Sequence, residues 1–221
     1  MKFFLRTMTL VLLSLAAAAT ASADGVTLTF NGGGNYTMGG VYVGPYNFTA
    51  TTSGGQTYSL QLVCDSFQNE VFGGEQWTAS TSVYPSLTNV MFTGPGSAAG
   101  YAEIGWLVQQ MFANLGNAQT VGDIAWAIWD VFDPGISNND PYGTISPQDQ
   151  TNINNWLALA ILNDPPSTSE MLTIYTPVTG SQVPFGDGPP QEYFGVPEPG
   201  TWLLLGAGLI SLTAMRRRLS Y

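Results

Sequence analysis

Between Asp24 and Met215 the chain has no lysine, arginine or histidine. All five basic residues (Lys2, Arg6, Arg216, Arg217, Arg218) sit at the two ends, while the stretch between them carries all fifteen carboxylates and a formal charge of −15. No ion pair can form within it. Its fold must rest on apolar burial and hydrogen bonds, with bound cations as the only countercharge. Such a surface repels nucleic acid and anionic lipid headgroups. A neutral or cationic partner, such as a glycan or divalent ions, is easier to accommodate.

The same absence removes most catalytic chemistry. Without histidine there is no Ser-His-Asp or Cys-His pair and no imidazole metal site; without lysine or arginine there is no Schiff base and no phosphate-binding lysine. Paired-carboxylate chemistry and oxygen-ligated calcium survive. The expectation is a protein that is not an enzyme and uses no cofactor or metal.

The two ends read as addresses. Lys2 and Arg6 precede an apolar run from Met8 to Ala19, and Ala21-Ser22-Ala23 is a small-residue cleavage site, so residues 1–23 read as a signal peptide and the mature chain as starting at Asp24. At the other end, Val196-Pro197-Glu198-Pro199-Gly200 leads into an uncharged run, Thr201 to Met215, closed by Arg216, Arg217 and Arg218. Proline and glycine stop the helix extending backward, and the arginines stay on the cytoplasmic side. Fifteen helical residues span about 22 Å against about 30 Å of hydrocarbon, which suits a signal that is read and removed.

Val-Pro-Glu-Pro, a short apolar helix and a terminal arginine cluster resemble the PEP-CTERM sorting signal of Gram-negative bacteria. That resemblance implies processing by exosortase at or near Pro197-Glu198-Pro199, after signal peptidase has acted at the other end. It also implies an inner-membrane stage followed by release to the cell surface or extracellular matrix, in the setting of exopolysaccharide and biofilm production.

Roughly 170 residues remain for one domain, enough for a sizeable core. Its first half alternates Val, Thr, Tyr and Phe between glycine pairs, predicting strands at Val26–Phe30, Val41–Val43, Tyr46–Thr51, Thr57–Cys64 and Trp77–Tyr84. The period then changes. Ile104, Leu107, Val108, Met111 and Phe112 form one helical stripe, and Val121, Ile124, Ala125, Ile128, Trp129 and Phe132 another. Thr120 with Asp123 resembles a capping box for the second helix, which Asp133-Pro134-Gly135 ends. A third helix is expected from Pro147 to Leu162, capped by Ser146, with Ile153, Trp156, Leu157, Ala160 and Ile161 facing the core. One more strand, Met171–Tyr175, returns to the sheet. The expected architecture is α+β: a mainly antiparallel sheet or barrel with an inserted helical layer, a signal helix before it and a transmembrane helix after it. The domain is placed at 24–176, a Gly/Pro-rich linker at 177–195, and the sorting signal at 196–218 with its helix at 201–215.

Cys64 is the single cysteine and cannot form an internal disulfide. A cysteine ending a strand, a helix containing Trp106-Leu107-Val108-Gln109 and a later Ala127-Ile128-Trp129 resemble the Cys-Gln thioester domain of bacterial surface adhesins. That resemblance places an acyl glutamine two residues before Ala127, where this chain has Ala125. Gln119 and Gln109 are poor substitutes, so Cys64 reads as a buried strand residue first and as a thiol or degenerate thioester site second. Asp123, Asp130 and Asp133 offer carboxylates along one helix, and Asp133 to Asp140, with Ser137, Asn138 and Asn139, offers oxygen ligands without EF-hand spacing. Trp77, Tyr84 and Trp126 could stack on sugar rings or fill the core, and the core is favoured. The reading that results is a non-enzymatic adhesion or exopolysaccharide-associated surface protein; the alternatives are a thioester adhesin using Cys64 or a carboxylate-dependent glycan-active enzyme.

Overall fold

A computed structural model describes residues 25–163, 172–182 and 190–196. The predicted signal helix, the segment 201–215 and the arginine cluster lie outside them. Among the described residues no helix is long and apolar enough to cross a membrane.

Among the described residues eight strands and three helices follow in order. They are β1 (Val26–Gly32), β2 (Thr37–Met38), β3 (Val41–Tyr42), β4 (Tyr46–Thr51), β5 (Thr57–Cys64) and β6 (Gln76–Val83), then α1 (Ser97–Ala113), α2 (Ala118–Phe132) and α3 (Pro147–Leu162), then β7 (Thr173–Pro177) and β8 (Tyr193–Gly195). Six strands close a barrel in the order β1-β4-β5-β8-β7-β6, and every neighbouring pair is antiparallel. The α+β barrel with an inserted helical layer is thus observed.

Alternation decides which side chains go inside. Val26, Leu28 and Phe30 of β1 are buried between intermediate threonines, and the register sets Phe30 against Phe48 and Leu28 against Ala50 and Trp77. The interior is aromatic: Phe48 meets Trp77 edge-on at 5.8 Å between ring centroids and Tyr193 at 4.7 Å, and Trp77 stacks on Tyr193 at 5.9 Å. Outside, the same register gathers Thr27, Thr29, Thr49, Thr51 and Thr78 on the flank that no helix covers.

The helices cover the opposite flank, over β5 and β8. Tyr101 of α1 reaches Phe194 at 6.0 Å, and Leu172 lies beneath Gly105. Helix α2 is the middle layer, with every residue from Val121 to Asp130 buried. Its approach to α1 depends on Gly100, where a Cβ would come within 2.6 Å of the Phe132 ring. Helix α3 lies outermost, burying only Ile153 and Ala160; Ile161, expected on the core face, is 61% exposed.

Helix starts follow local chemistry. Ser146 caps α3 with Pro147 in the first turn, as expected, and Asp149 answers it to complete a reciprocal capping box. The cap of α2 is Asn117 rather than Thr120: the helix begins one turn earlier, and the Thr120 N–H donates to the Asn117 side chain.

Two elements differ more. A β2–β3 hairpin, turning on Gly39 and Gly40 at φ +64° and +79°, leaves the barrel and packs on α2, where Met38 fills the space a Cβ on Gly122 would need. The stretch 177–195, expected as a linker, begins with the last residue of β7 and ends in β8, which is hydrogen-bonded between β5 and β7. Those three residues of β8 are buried, so the barrel closes immediately before Val196, and 190–195 belongs to the domain.

Candidate functional site

One end of the barrel opens into a cleft of about 620 Å³, where β1 and β5 finish and β4, β6 and β8 begin. Its floor includes Cys64, Tyr46, Trp129 and Gln191. The Trp129 indole N–H donates to Cys64 Sγ at 3.2 Å, the thiol donates to the Tyr46 hydroxyl at 3.7 Å, and that hydroxyl donates to the Tyr42 carbonyl at 2.8 Å. The relay runs from helix α2 through the barrel wall to the hairpin. Burial pushes the Cys64 thiol up to about 12, against a smaller opposite pull from its Trp129 and Tyr46 hydrogen bonds. A buried thiol held this way is a poor nucleophile.

No glutamine completes a thioester along the expected route. Ala125 is buried in α2, and Gln119 donates at 3.0 Å to Asp123 and at 2.8 Å to Asp149. Gln191 on the cleft floor accepts from the Tyr193 hydroxyl at 3.0 Å.

The rim carries three exposed rings: Tyr42 (58%), Tyr142 (55%) and Phe72 (47%). Each stands on backbone that side chains pin. The Tyr42 ring lies across Gly33, where a Cβ would fall 2.5 Å from it. Buried Glu75 accepts the Phe72 N–H at 3.0 Å, and the Phe72 carbonyl takes the Glu75 N–H at 3.0 Å. Asp140 accepts the N–H groups of Tyr142, Thr144 and Ile145. Burial alone would raise the Asp140 carboxyl, but these donors outweigh it and hold it below the usual range.

A second polar constellation lies behind the floor, between barrel and helices. Glu192 is fully buried and accepts from the Tyr101 hydroxyl at 2.6 Å, the Met91 N–H at 2.9 Å and the Thr176 hydroxyl. Beside it Asp65 is also buried, and the side chain its carboxyl meets is that of Glu192. Burial first, and the Glu192 carboxylate second, push the Asp65 carboxyl well above the usual range. With like charge beside it and no basic residue in the domain, Asp65 is held toward its protonated form.

The other candidates serve the fold. Asp123 accepts from Gln119 and, at 3.1 Å, from Asn152; burial raises it despite those bonds. Asp130 accepts the N–H groups of Gly135 and Ser137 and the Ser137 hydroxyl, fixing the turn after α2. The Asp133 carboxylate takes Gln68, so these acids do not form a facing pair. Among the described residues no three potential ligands cluster as a metal site. Trp126 and Trp77 are core residues; Trp126 packs on Trp129 and Phe67. Val196 of the sorting motif is half-buried directly after β8. Pro197, Glu198, Pro199, Arg216, Arg217, Arg218, Ala21, Ala23 and Asp24 lie outside the described residues. The Asp65–Glu192 pair and the aromatic rim were not found from the sequence.

Residues 195–218 match the family model of the PEP-CTERM protein-sorting motif, which marks the chain for exosortase-dependent sorting to the surface. Among solved structures it is similar to the N-terminal thioester domain of fibronectin-binding protein SfbI from Streptococcus pyogenes, at 11% identity over 80% of this chain and 95% of that one, with a TM-score of 0.43. It is also similar to the N-terminal domain of the S. pyogenes pilus tip adhesin Cpa (10% identity, 81% and 96% coverage, TM-score 0.42). A third is the thioester domain of a protein F2-like fibronectin-binding protein from Streptococcus pneumoniae (12%, 77% and 92%, 0.45). No curated protein matches the sequence.

Proposed function

We propose that this is an exported surface or extracellular-matrix protein whose barrel domain acts by binding, in adhesion or exopolysaccharide association, without catalysis. The observation that carries this is the sorting motif at 195–218, joined to a domain with no basic residue. Signal peptidase would release the chain at Ala23-Asp24, and exosortase would act at or near Pro197-Glu198-Pro199 after an inner-membrane stage. Two features of the domain support binding over chemistry. The Cys64 thiol is buried and committed to the relay, and the Asp65 and Glu192 pair is closed off from solvent. A thioester adhesin would need an acyl partner where Ala125 stands, and a glycosidase would need its two carboxyls facing a substrate across an open cleft.

Expression of the full chain in a Gram-negative host with exosortase, and in the same host lacking it, tests the sorting role. The expected product is found at the surface or in the matrix, starts at Asp24 and has lost the mass of the arginine-ended tail. A product that keeps the tail and is protected from external protease with exosortase present would overturn the reading.

A further inference from the structure

We infer that the cleft at the barrel mouth binds an uncharged polysaccharide, with sugar rings stacking on Tyr42, Phe72 and Tyr142. This deepens the surface role proposed above and rests on it.

Three observations carry the inference. First, exposed aromatic rings are costly to leave in water, and three of them border one concavity rather than scattering over the surface. Sugar rings present C–H faces that suit the negative face of an aromatic ring and hydroxyl edges that suit amides and carboxylates. Gln68, Glu70 and Gln191 supply such groups between the rings. The cleft volume, about 620 Å³, falls in the range of roughly 300–1,000 Å³ that small-ligand sites occupy.

Second, the backbone that carries the rings is fixed before any ligand arrives. The Tyr42 carbonyl ends the relay that starts at Trp129, the Phe72 N–H is held by Glu75, and the Tyr142 N–H by Asp140. Ordering a rim in advance removes a cost that binding would otherwise bear.

Third, charge selects among glycans. A domain with no basic residue, and with Glu70 in the cleft, offers nothing to pair with a uronate or sulfate and repels both. The ligand is therefore a neutral polysaccharide, and calcium-bridged capture of an acidic one is the outcome that the test must separate.

The test uses the full-length protein in mild detergent, with a soluble β-glucan, dextran and alginate as probes, in affinity electrophoresis with and without calcium. A neutral glucan is expected to retard the protein, and alginate is not. Tyr42→Ala and Tyr142→Ala should each weaken retardation about tenfold, Tyr142→Phe should preserve it, and Tyr58→Ala, an exposed ring outside the cleft, should leave it unchanged. Far-ultraviolet circular dichroism of each variant separates lost binding from lost folding. Retardation by alginate with calcium, retardation unaffected by the rim variants, or no retardation by either neutral polymer would each overturn the inference. Those failures leave the processed surface product intact, whereas failure of the sorting reading shows in that product's location and mass.

Discussion

Adjacent residues on β5 and β8 face two different worlds. Cys64 and Tyr193, paired across the strands, point into the barrel, where aromatic packing and one hydrogen-bond relay use every polar atom they bring. Just beyond the end of β5 and just before the start of β8, Asp65 and Glu192 point outward into the seam beneath the helices and meet there as two buried acids. The inward face is stabilised by shape, the outward face by protons and donors. A domain without basic residues has no other way to settle a buried carboxylate, so its seam should respond to pH where its interior does not.

The largest effect should come from removing what joins the two faces. A fragment spanning 24–190 lacks β8 and leaves β5 and β7 with open edges, and it also loses buried Glu192, Tyr193 and Phe194. That loss exceeds the total stability of a typical domain, about 5–15 kcal/mol. The fragment is expected to show no cooperative thermal transition by circular dichroism, while one spanning 24–196 shows a single sharp one. A cooperative melt for the shorter fragment would mean that the barrel closes without β8 and that the stretch 177–195 is a spacer after all.

Next in size are single cuts on each face. Glu192→Ala strands the Tyr101 and Thr176 hydroxyls and the Met91 N–H in the seam and should cost about 3–5 kcal/mol. Trp77→Ala, inside, should cost a similar 3–5 kcal/mol through the cavity it leaves. The two are told apart by urea melts at several pH values. Trp77→Ala should lower stability by the same amount at each, and Glu192→Ala should also flatten the pH dependence. Equal flattening by both would erase the distinction between interior and seam.

That pH dependence has a definite sign. The Asp65 carboxyl is raised in the folded state, so between its unfolded value, about 3.9, and its higher folded value the native protein holds a proton that the unfolded chain has released. Its contribution to stability is full below about pH 3.9 and falls as pH rises through the folded value, at up to about 1.4 kcal/mol per pH unit for one proton. The domain should therefore be more stable near pH 5 than near pH 8. Asp65→Asn, neutral at every pH, should remove much of that slope, and an unchanged slope would assign it to general repulsion among the surface carboxylates instead.

These features were unequally legible. The stripe Ile104, Leu107, Val108, Met111 is enough to place α1 on the core, and Ser146-Pro147 marks the start of α3. Trp126, for which the core is the favoured reading, is buried although it lies off the apolar stripe, because α2 is buried all round. Tyr193–Gly195 was missed because three residues carry no alternation, and they follow a run of glycine and proline that reads as spacer. Glu192 went with it, since an acid in such a run reads as solvated. Asp65 beside Cys64 drew no notice because pairing across β5 and β8, and not sequence spacing, brings it to Glu192. The rim was invisible for the same reason: Tyr42, Phe72 and Tyr142 come from a hairpin, a β-loop and a helix connection.

The smallest expected effect tests the inward face at its one reactive atom. With its pKa raised to about 12, Cys64 holds about one thiolate in ten thousand molecules at pH 8, and the folded protein should resist iodoacetamide far longer than the urea-unfolded chain. Cys64→Ala keeps the barrel but takes the acceptor from the Trp129 N–H and the donor from Tyr46, at a cost of about 1–3 kcal/mol. Because the relay ends on the Tyr42 carbonyl, the same substitution should loosen the hairpin, read as faster amide exchange at Tyr42 with β1 unchanged. Rapid native alkylation would instead make the cleft floor an open, reactive site. The contrast between a face settled by packing and a face settled by protons would then fail on its inward side, because Cys64 would be an ionisable group in use rather than one held out of use.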